Sequence, residues 1–272
     1  MAEPDLYTRD LLPWLEARGY SGTALRRTGG KEDGCAVFWR RQTWRAEAVQ
    51  EVVLRRAGVA VLDKDNVGLV VRLVSRTGAR LVLATTHLLF NPRRHDIRLA
   101  QAALLLAEVD QVSRAAPGRP APVILTGDFN LEAGSPAHRL LVEGGVRVGG
   151  PGSPPLLPRS LGVTDGCRVA GRGVEESWDS GTLYHGLGLR AVEQGGVSSR
   201  HRTWAKVDYI LYSTLPARPG SSSWDGRREG RLRLVGRLRL PGPGQAEQLG
   251  PLPSPVCPSD HFPLLADFLL RP

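Results

Sequence analysis

Residues 123–130 read Val-Ile-Leu-Thr-Gly-Asp-Phe-Asn, and this stretch indicates how the chain folds. The apolar residues 123–125 form a short run, as expected of a buried β-strand. Gly127 permits a tight turn, after which Asp128 and Asn130 place two polar side chains at the strand end. Loops at strand ends gather the catalytic groups of open α/β sheets, so the stretch predicts one rim of a site. An ordinary Asx turn is the alternative interpretation.

Three further segments place polar side chains at strand ends. They are Thr86-His87, which follows the predicted strand 81–86, Asp208 at the start of the predicted strand 207–212, and Ser259-Asp260-His261 just before the predicted strand 263–270. Taken alone, Thr86-His87 and Asp208 are more often structural, whereas Asp260-His261 fits a capping pair and a site equally well. Because four such ends can meet at one cleft, their combination favours a site.

The residue types in these segments suit metal-assisted phosphoryl transfer. Mg²⁺ prefers oxygen ligands and keeps several waters, so a few carboxylates and an amide suffice to hold it. A water that attacks phosphorus needs a base or an orienting acceptor, and a cation that absorbs the charge on the non-bridging oxygens. An imidazole can donate to those oxygens or lie beside the attacking water.

The elements between the motifs predict one domain over residues 1–272, of class α/β (α+β), with a two-layered sheet core flanked by helices. A hairpin is expected from strands at 67–74 and 81–86, and apolar residues at helical spacing predict an amphipathic helix from Asp96 to about Arg114. Shorter helices are expected at 11–18 and 136–141, and a half-buried strand at 231–240. We expect residues 144–206 and 216–230 to be irregular loops.

Composition narrows the classes of function. The net charge is +9, and lysine occurs only at positions 31, 64 and 206, so arginine, which binds phosphate in a bidentate way, dominates. This suits a polyanionic partner such as RNA, although a coding bias that also yields 32 Gly and 21 Pro explains it equally well. No apolar run is long enough to span a membrane. Three scattered cysteines favour reduced thiols inside the cell, in the cytoplasm or the nucleus.

The order Thr-His, Gly-Asp-Phe-Asn, Val-Asp-Tyr-Ile, Ser-Asp-His is similar to that of the endonuclease/exonuclease/phosphatase superfamily, which includes pancreatic deoxyribonuclease and the poly(A) deadenylases. Four stretches resemble its Angel branch: residues 27–36, 65–70, 87–109 and 234–238. The resemblance covers nearly the whole chain and is weakest between about 144 and 200. It implies the two-sheet β-sandwich of the deoxyribonuclease I type, Mg²⁺ or Mn²⁺ as cofactor, and RNA 3′ ends as substrate.

The resemblance also implies roles for individual residues. Asp128 would hold or deprotonate the attacking water, and Asn130 would orient that water or the phosphate. His261 would contact the scissile phosphate, aligned by Asp260, which would also bind the metal. His87 and Asp208 would complete the wall that faces the phosphate. Further substrate contacts are expected from Asn66 and Arg94.

Two chemistries fit this constellation: 3′–5′ exoribonuclease or deadenylase activity, and hydrolysis of terminal 2′,3′-cyclic phosphates. The family's domain opens with a strand-end Asn and a Leu-Gln-Glu whose Glu is the main metal ligand, and an ungapped comparison puts that Glu at about Met1. Glu3 is near, but Pro4 follows it. We therefore expect the first strand or two to be missing and activity to be impaired. A catalytically inactive RNA-binding or regulatory protein is the alternative, and an inositol or lipid phosphatase is a third hypothesis.

Overall fold

The computed structural model describes residues 6–115, 118–148, 182–185, 187–200, 203–216, 227–228, 230–255 and 257–271. Within these residues lie a π-helical turn at Tyr7–Leu11, a 3₁₀ turn at Ala60–Leu62, and helices α1 (Leu12–Glu16), α2 (His95–Arg114), α3 (Pro136–Glu143) and α4 (Pro243–Gln248). The strands described are β1 (Tyr20–Arg26), β2 (Gly34–Arg40), β3 (Trp44–Val53), β4 (Val67–Ser75), β5 (Arg80–His87), β6 (Val123–Asp128), β7 (Gly145–Val148), β8 (Thr182–His185), β9 (Leu189–Ala191), β10 (Ser199–Arg200), β11 (Trp204–Ala205), β12 (Asp208–Ser213), β13 (Leu215–Pro216), β14 (Arg227–Arg228), β15 (Leu232–Arg237) and β16 (Ala266–Leu270).

A six-stranded sheet forms the centre of the molecule, in the order β3-β4-β5-β6-β12-β9. Its strands pair antiparallel except for β5 and β6, which run parallel. A parallel pair requires a crossover, and α2 supplies it. The carboxyl ends of β5 and β6 therefore lie at the same edge of the sheet, beside the first residue of the antiparallel β12.

Both faces of this sheet are covered, and strand alternation sorts the side chains between them. On one face Val82, Leu125 and Leu211 pack in a core that includes the apolar residues of α2 and α3. On the other face, residues of β4 pack against β2, and residues of β12 pack against β15 and β16. The pairs β1-β2 and β15-β16 thus form a second β layer, which confirms the expected two-layered core flanked by helices.

The expectation that α2 is amphipathic is wrong. Fourteen of its 20 residues are buried, including the polar side chains Arg98, Gln101, Asp110 and Ser113. The helix contacts α3 and the 3₁₀ turn as well as strands β3 to β5, so little of its circumference faces water. A helix covered on nearly every side carries its polar residues inside the protein, where they need hydrogen-bond partners.

The loop expectation for residues 144–206 is corrected where the structure describes them, because strands β7 to β11 fall in this range. In 216–230, the described ends carry parts of the paired strands β13 and β14. Residues 149–181, 186, 201–202, 217–226 and 229, which also fall in these two ranges, lie outside the described residues. No helix in the described part of the chain is long and apolar enough to cross a membrane.

Candidate active site

Three polar residues of the predicted site are register partners on neighbouring strands. His87, the last residue of β5, pairs with Asp128, the last residue of β6. Asp128 in turn pairs with Asp208, the first residue of β12. Side chains of paired residues project from the same face. Ile124 lies four residues before Asp128 and Ile210 two residues after Asp208, so each projects from the same face as its aspartate. Both isoleucines pack in the core beneath β15 and β16, so all three polar side chains lie on the face away from α2.

Gly127 allows the parallel strands to approach at this point. Its φ is +145°, in the region that favours glycine. A Cβ atom there would collide with the main-chain oxygen of Thr86, the residue before His87. The glycine of the Gly-Asp-Phe-Asn motif is therefore required by strand packing immediately beside the site.

Asp128 lies at the centre of the cluster. Its Oδ1 accepts the main-chain N–H of Asn130 at 2.9 Å. Its Oδ2 lies 3.4 Å from Nε2 of His87 and 3.9 Å from Nε2 of His261. One oxygen is thus held by the turn that follows the strand, while the other faces two imidazoles.

His261 is held from both sides of its ring. Nδ1 lies 2.7 Å from Oδ2 of Asp208, and Nε2 lies 3.2 Å from Oγ of Ser199. The carboxylate that aligns His261 is therefore Asp208, whereas the resemblance had given this role to Asp260. The Oδ2 of Asp260 is 3.9 Å from Nε2, beyond hydrogen-bond distance. A β-bridge between Ser199 and His261 brings the segment before β16 to this place.

The cluster opens into a cavity of about 490 Å³. Its lining consists of His87, Phe90, Asp128, Asp208, Asp260 and His261. Three carboxylates and two imidazoles therefore face one space, as the four sequence motifs led us to expect. The volume is within the range of small-molecule sites, roughly 300–1,000 Å³.

Burial and charge shift the pKa of two groups in the cluster. Burial raises the pKa of the Asp128 carboxyl, and the neighbouring Asp208 charge raises it further. The hydrogen bond that the His261 ring donates to Asp208 raises the pKa of His261, against the opposing effect of burial. A less acidic carboxyl is a stronger proton acceptor when ionised, and a more basic imidazole is more readily a cation.

Three residues predicted for the site lie outside the cavity lining. Asn66 is buried, and its amide donates to the main-chain oxygen of His87. Asn130 has a φ of +49° and donates its amide to the main-chain oxygen of Leu88 at 3.1 Å. Arg94 forms an ion pair with Asp96 at 2.7 Å. The structure thus brings together five of the eight expected residues.

Phe90 and Ser199 were not anticipated. Phe90 lies inside the Angel-like stretch, but it carries no polar group of the kind that indicates phosphoryl transfer. Ser199 contacts His261 across 62 positions of sequence, and no local pattern marks such a pairing. An aromatic residue three positions after a strand-end histidine is the sequence signal that marks Phe90.

One group within the described residues could hold a divalent cation. The candidate ligand atoms of Asp128, Asp208 and His261 lie within 4.8 Å of one another. Together with Asp260, which lines the same cavity, the group offers three carboxylates, and oxygen donors are what a hard cation requires. The donor set fits a cation that retains much of its water shell.

Comparisons with known proteins establish the family of the chain. The model of the endonuclease/exonuclease/phosphatase family matches residues 1–261. Protein angel homolog 2 of Danio rerio is 35% identical over 99% of this chain and 55% of its own length. The Homo sapiens protein of that name is 32% identical over 99% of this chain and 59% of its length. The chain therefore spans little more than half of these relatives.

Solved structures show the same relationship. A crystal structure of ANGEL2, described as a 2′,3′-cyclic phosphatase in complex with adenosine-2′,3′-vanadate, superposes with a TM-score of 0.79. It is 31% identical, and the match covers 98% of this chain and 79% of that one. The human nocturnin catalytic domain, 19% identical with a TM-score of 0.62, covers 98% of this chain and 78% of its own and shares the fold. This chain thus belongs to the endonuclease/exonuclease/phosphatase family, on its Angel branch.

Proposed function

We propose that this chain hydrolyses phosphate esters at RNA 3′ ends inside the cell, with a terminal 2′,3′-cyclic phosphate as substrate. The observation that carries the proposal is the convergence of Asp128, Asp208, His87 and His261 on one cavity. The similarity to a protein described as a 2′,3′-cyclic phosphatase favours the cyclic ester over shortening of a poly(A) tail. The basic charge of the chain suits a polyanionic substrate.

In this proposal Asp128 is the base. Its Oδ1 is fixed by the N–H of Asn130, which leaves Oδ2 to accept a proton from a water in the cavity. The water oxygen forms a bond to phosphorus, and one of the two ribose ester bonds breaks. The departing ribose oxygen takes a proton from His87 or from solvent. The raised pKa of Asp128 makes its carboxylate a stronger base than an exposed one.

His261 stabilises the charge that develops on the phosphoryl oxygens. Its hydrogen bond to Asp208 raises its pKa and so favours the imidazolium, which can donate from Nε2. Donors that are already in place when charge develops contribute most to such reactions. Ser199 limits the rotation of the ring, since its hydroxyl lies 3.2 Å from the same Nε2.

We further propose Mg²⁺ as the cofactor, held by Asp208 and Asp260 with retained waters, which leaves Asp128 free to act as the base. When bound, the ion would supply electrostatic stabilisation of the phosphoryl oxygens. The residue roles given above for proton acceptance and phosphate contact do not depend on its exact position.

The test is turnover of a 5′-labelled RNA oligonucleotide that ends in a 2′,3′-cyclic phosphate, with Mg²⁺ and with a chelator. Loss of a positioned base costs about 10²–10⁴-fold in rate, so Asp128→Asn should reduce turnover by at least the lower figure. An oligonucleotide with a 3′-hydroxyl poly(A) end, run in parallel, should remain at full length. Equal inertness of the wild type and Asp128→Asn would contradict the proposal, and stepwise shortening of the poly(A) substrate would replace it with the exonuclease alternative.

A non-catalytic RNA-binding protein is the second candidate. The composition of the candidate metal group among the described residues favours it. One of the three ligands is the imidazole of His261, and Asp208 already accepts a hydrogen bond from that ring. Few anionic oxygens mean weaker affinity for Mg²⁺. This candidate predicts that fluorescence anisotropy detects RNA binding while every phosphate ester tested, including an inositol phosphate, stays intact.

A further inference from the structure

The segment from His87 to Pro92, here called the anchored segment, carries two residues of the cavity lining, His87 and Phe90. After His87, the last residue of β5, the segment runs towards α2 without regular secondary structure. Phe90 is 54% exposed although it is large and apolar. The position of these two side chains therefore depends on what holds the main chain of the segment.

Two buried amides hold its first half. Gln101, in α2, accepts the N–H of Leu89 at 3.0 Å and donates to Oδ1 of Asn66 at 3.0 Å. Asn66 then donates to the main-chain oxygen of His87 at 2.9 Å. Gln101 is 0% exposed and Asn66 is 2% exposed, so each hydrogen bond is made out of contact with water. The two amides thus connect α2 by hydrogen bonds to His87, the residue whose ring faces Asp128.

A buried guanidinium holds the second half. Arg98, one helical turn before Gln101 and 1% exposed, donates to the main-chain oxygen of Pro92 at 2.9 Å and to that of Leu89 at 3.4 Å. It also donates to the main-chain oxygen of Asn91. Three main-chain carbonyls, on both sides of Phe90, therefore accept hydrogen bonds from one side chain.

Burying an arginine and two amides is costly unless each is paired, and an apolar helix face would pack against the sheet at less cost. The groups they bind are main-chain atoms of the anchored segment, which leaves the β5-β6 pairing after Leu88, whose N–H still donates to the main-chain oxygen of Asp128. We propose that Asn66, Arg98 and Gln101 are positioning residues, which set the places of His87 and Phe90 at the cavity and act on the substrate only through them.

The experiment compares Gln101→Met with Ser113→Ala. Methionine has a size close to that of glutamine but makes neither hydrogen bond. Ser113 is buried in the same helix and donates to Asp110, well away from the anchored segment, so it controls for loss of a buried hydrogen bond in α2. Asn66→Leu breaks the same amide chain at its other link and serves if Gln101→Met does not fold.

The first readout is KM for an RNA ending in a 2′,3′-cyclic phosphate, and this readout rests on the proposed function. A lower folded fraction reduces the apparent kcat but leaves KM unchanged. We expect kcat/KM to fall about tenfold or more in Gln101→Met and Asn66→Leu, with a raised KM, because small displacements of positioned groups have effects of this size. Ser113→Ala should keep the wild-type KM.

The second readout needs no activity. The ring signals of His87, followed by nuclear magnetic resonance in the full chain, should shift in Gln101→Met and Asn66→Leu and stay in place in Ser113→Ala. Unshifted His87 signals in both amide variants would overturn the positioning role. Absence of turnover in the wild type, with shifted His87 signals, would instead contradict the proposed function and leave the positioning role supported.

Discussion

Replacement of Asp208 by asparagine tests the electrostatics of the site. The Oδ2 of Asp208 lies 2.7 Å from Nδ1 of His261, and the two side chains are only 16% and 23% exposed. Asparagine can still accept that hydrogen bond through its oxygen, but it carries no charge. Hydrogen bonds to charged groups contribute about 1.5–3 kcal/mol and neutral ones about 0.5–1.5, so the imidazolium should lose roughly 1 kcal/mol of stabilisation.

The expected result is a lower pKa for His261 in Asp208→Asn than in the wild type. The assay is a pH titration of the His261 ring by nuclear magnetic resonance, in a chelator so that no divalent cation competes for the same atoms. The pKa of Asp128 should fall too, though less completely, because burial is the larger cause of its elevation and persists in the variant. Asp267→Asn, which removes an exposed carboxylate in β16, is the matched control.

The sign of the pH effect on stability follows from the same contact. The pKa of His261 is raised in the folded state above its ordinary 6.5, so its contribution to stability is fully present below pH 6.5. That contribution is lost as pH rises through the folded pKa. A His261 titration that is unchanged in Asp208→Asn, or shifted to higher pH, would refute the assignment of Asp208 as the group that holds the imidazolium.

Three other perturbations have expected outcomes. Gly127→Ala should destabilise the fold by about 3 kcal/mol or more in urea unfolding, because both its φ of +145° and the Thr86 oxygen oppose a Cβ atom. Glu47→Gln should make stability less sensitive to acid. The hydrogen bond from Arg80 is the largest cause that lowers the pKa of Glu47 from 4.5 to about 2, so the wild type should lose the stabilisation from this ion pair as pH falls through that range. Circular dichroism can follow the loss of folded protein in both chains. Phe90→Leu should weaken binding of an RNA 3′ end about tenfold, because an aromatic ring at the cavity can stack on a base and leucine cannot. Fluorescence anisotropy measures this binding, with Asp128→Asn present in both proteins to prevent turnover.

Much of the central sheet could be predicted from local pattern. The strands at β4, β5, β6 and β12 are continuous apolar runs, since both of their faces are covered, and such runs are easy to recognise. Strands β1 to β3 were not predicted, since most of their positions are half-buried or exposed and the contrast between core and surface is weak. The burial of α2 could not be foreseen either, since Arg98 and Gln101 look like solvent-facing residues until the segment that they bind is known.

The site was predictable where a motif ended a strand. His87, Asp128 and Asp208 follow from the rule that neighbouring strand ends meet, and their register confirms it. Asn66 was expected at the substrate because its local sequence resembles the family's, but the amide bonds to the main chain of His87. Contacts such as Ser199 with His261 depend on tertiary folding alone, and sequence spacing contains no information about them.

The pairing of His87, Asp128 and Asp208 across three adjacent strands has a consequence for how this protein can change. A slip of one residue in any of these strands would turn a functional side chain to the opposite face and expose a row of core residues at the same time. Chemistry and folding are therefore selected together at this sheet edge. We therefore expect new substrate preferences to arise from the loops around the cavity, and grafting such loops from Angel relatives is a direct way to alter specificity while the reacting groups stay in place.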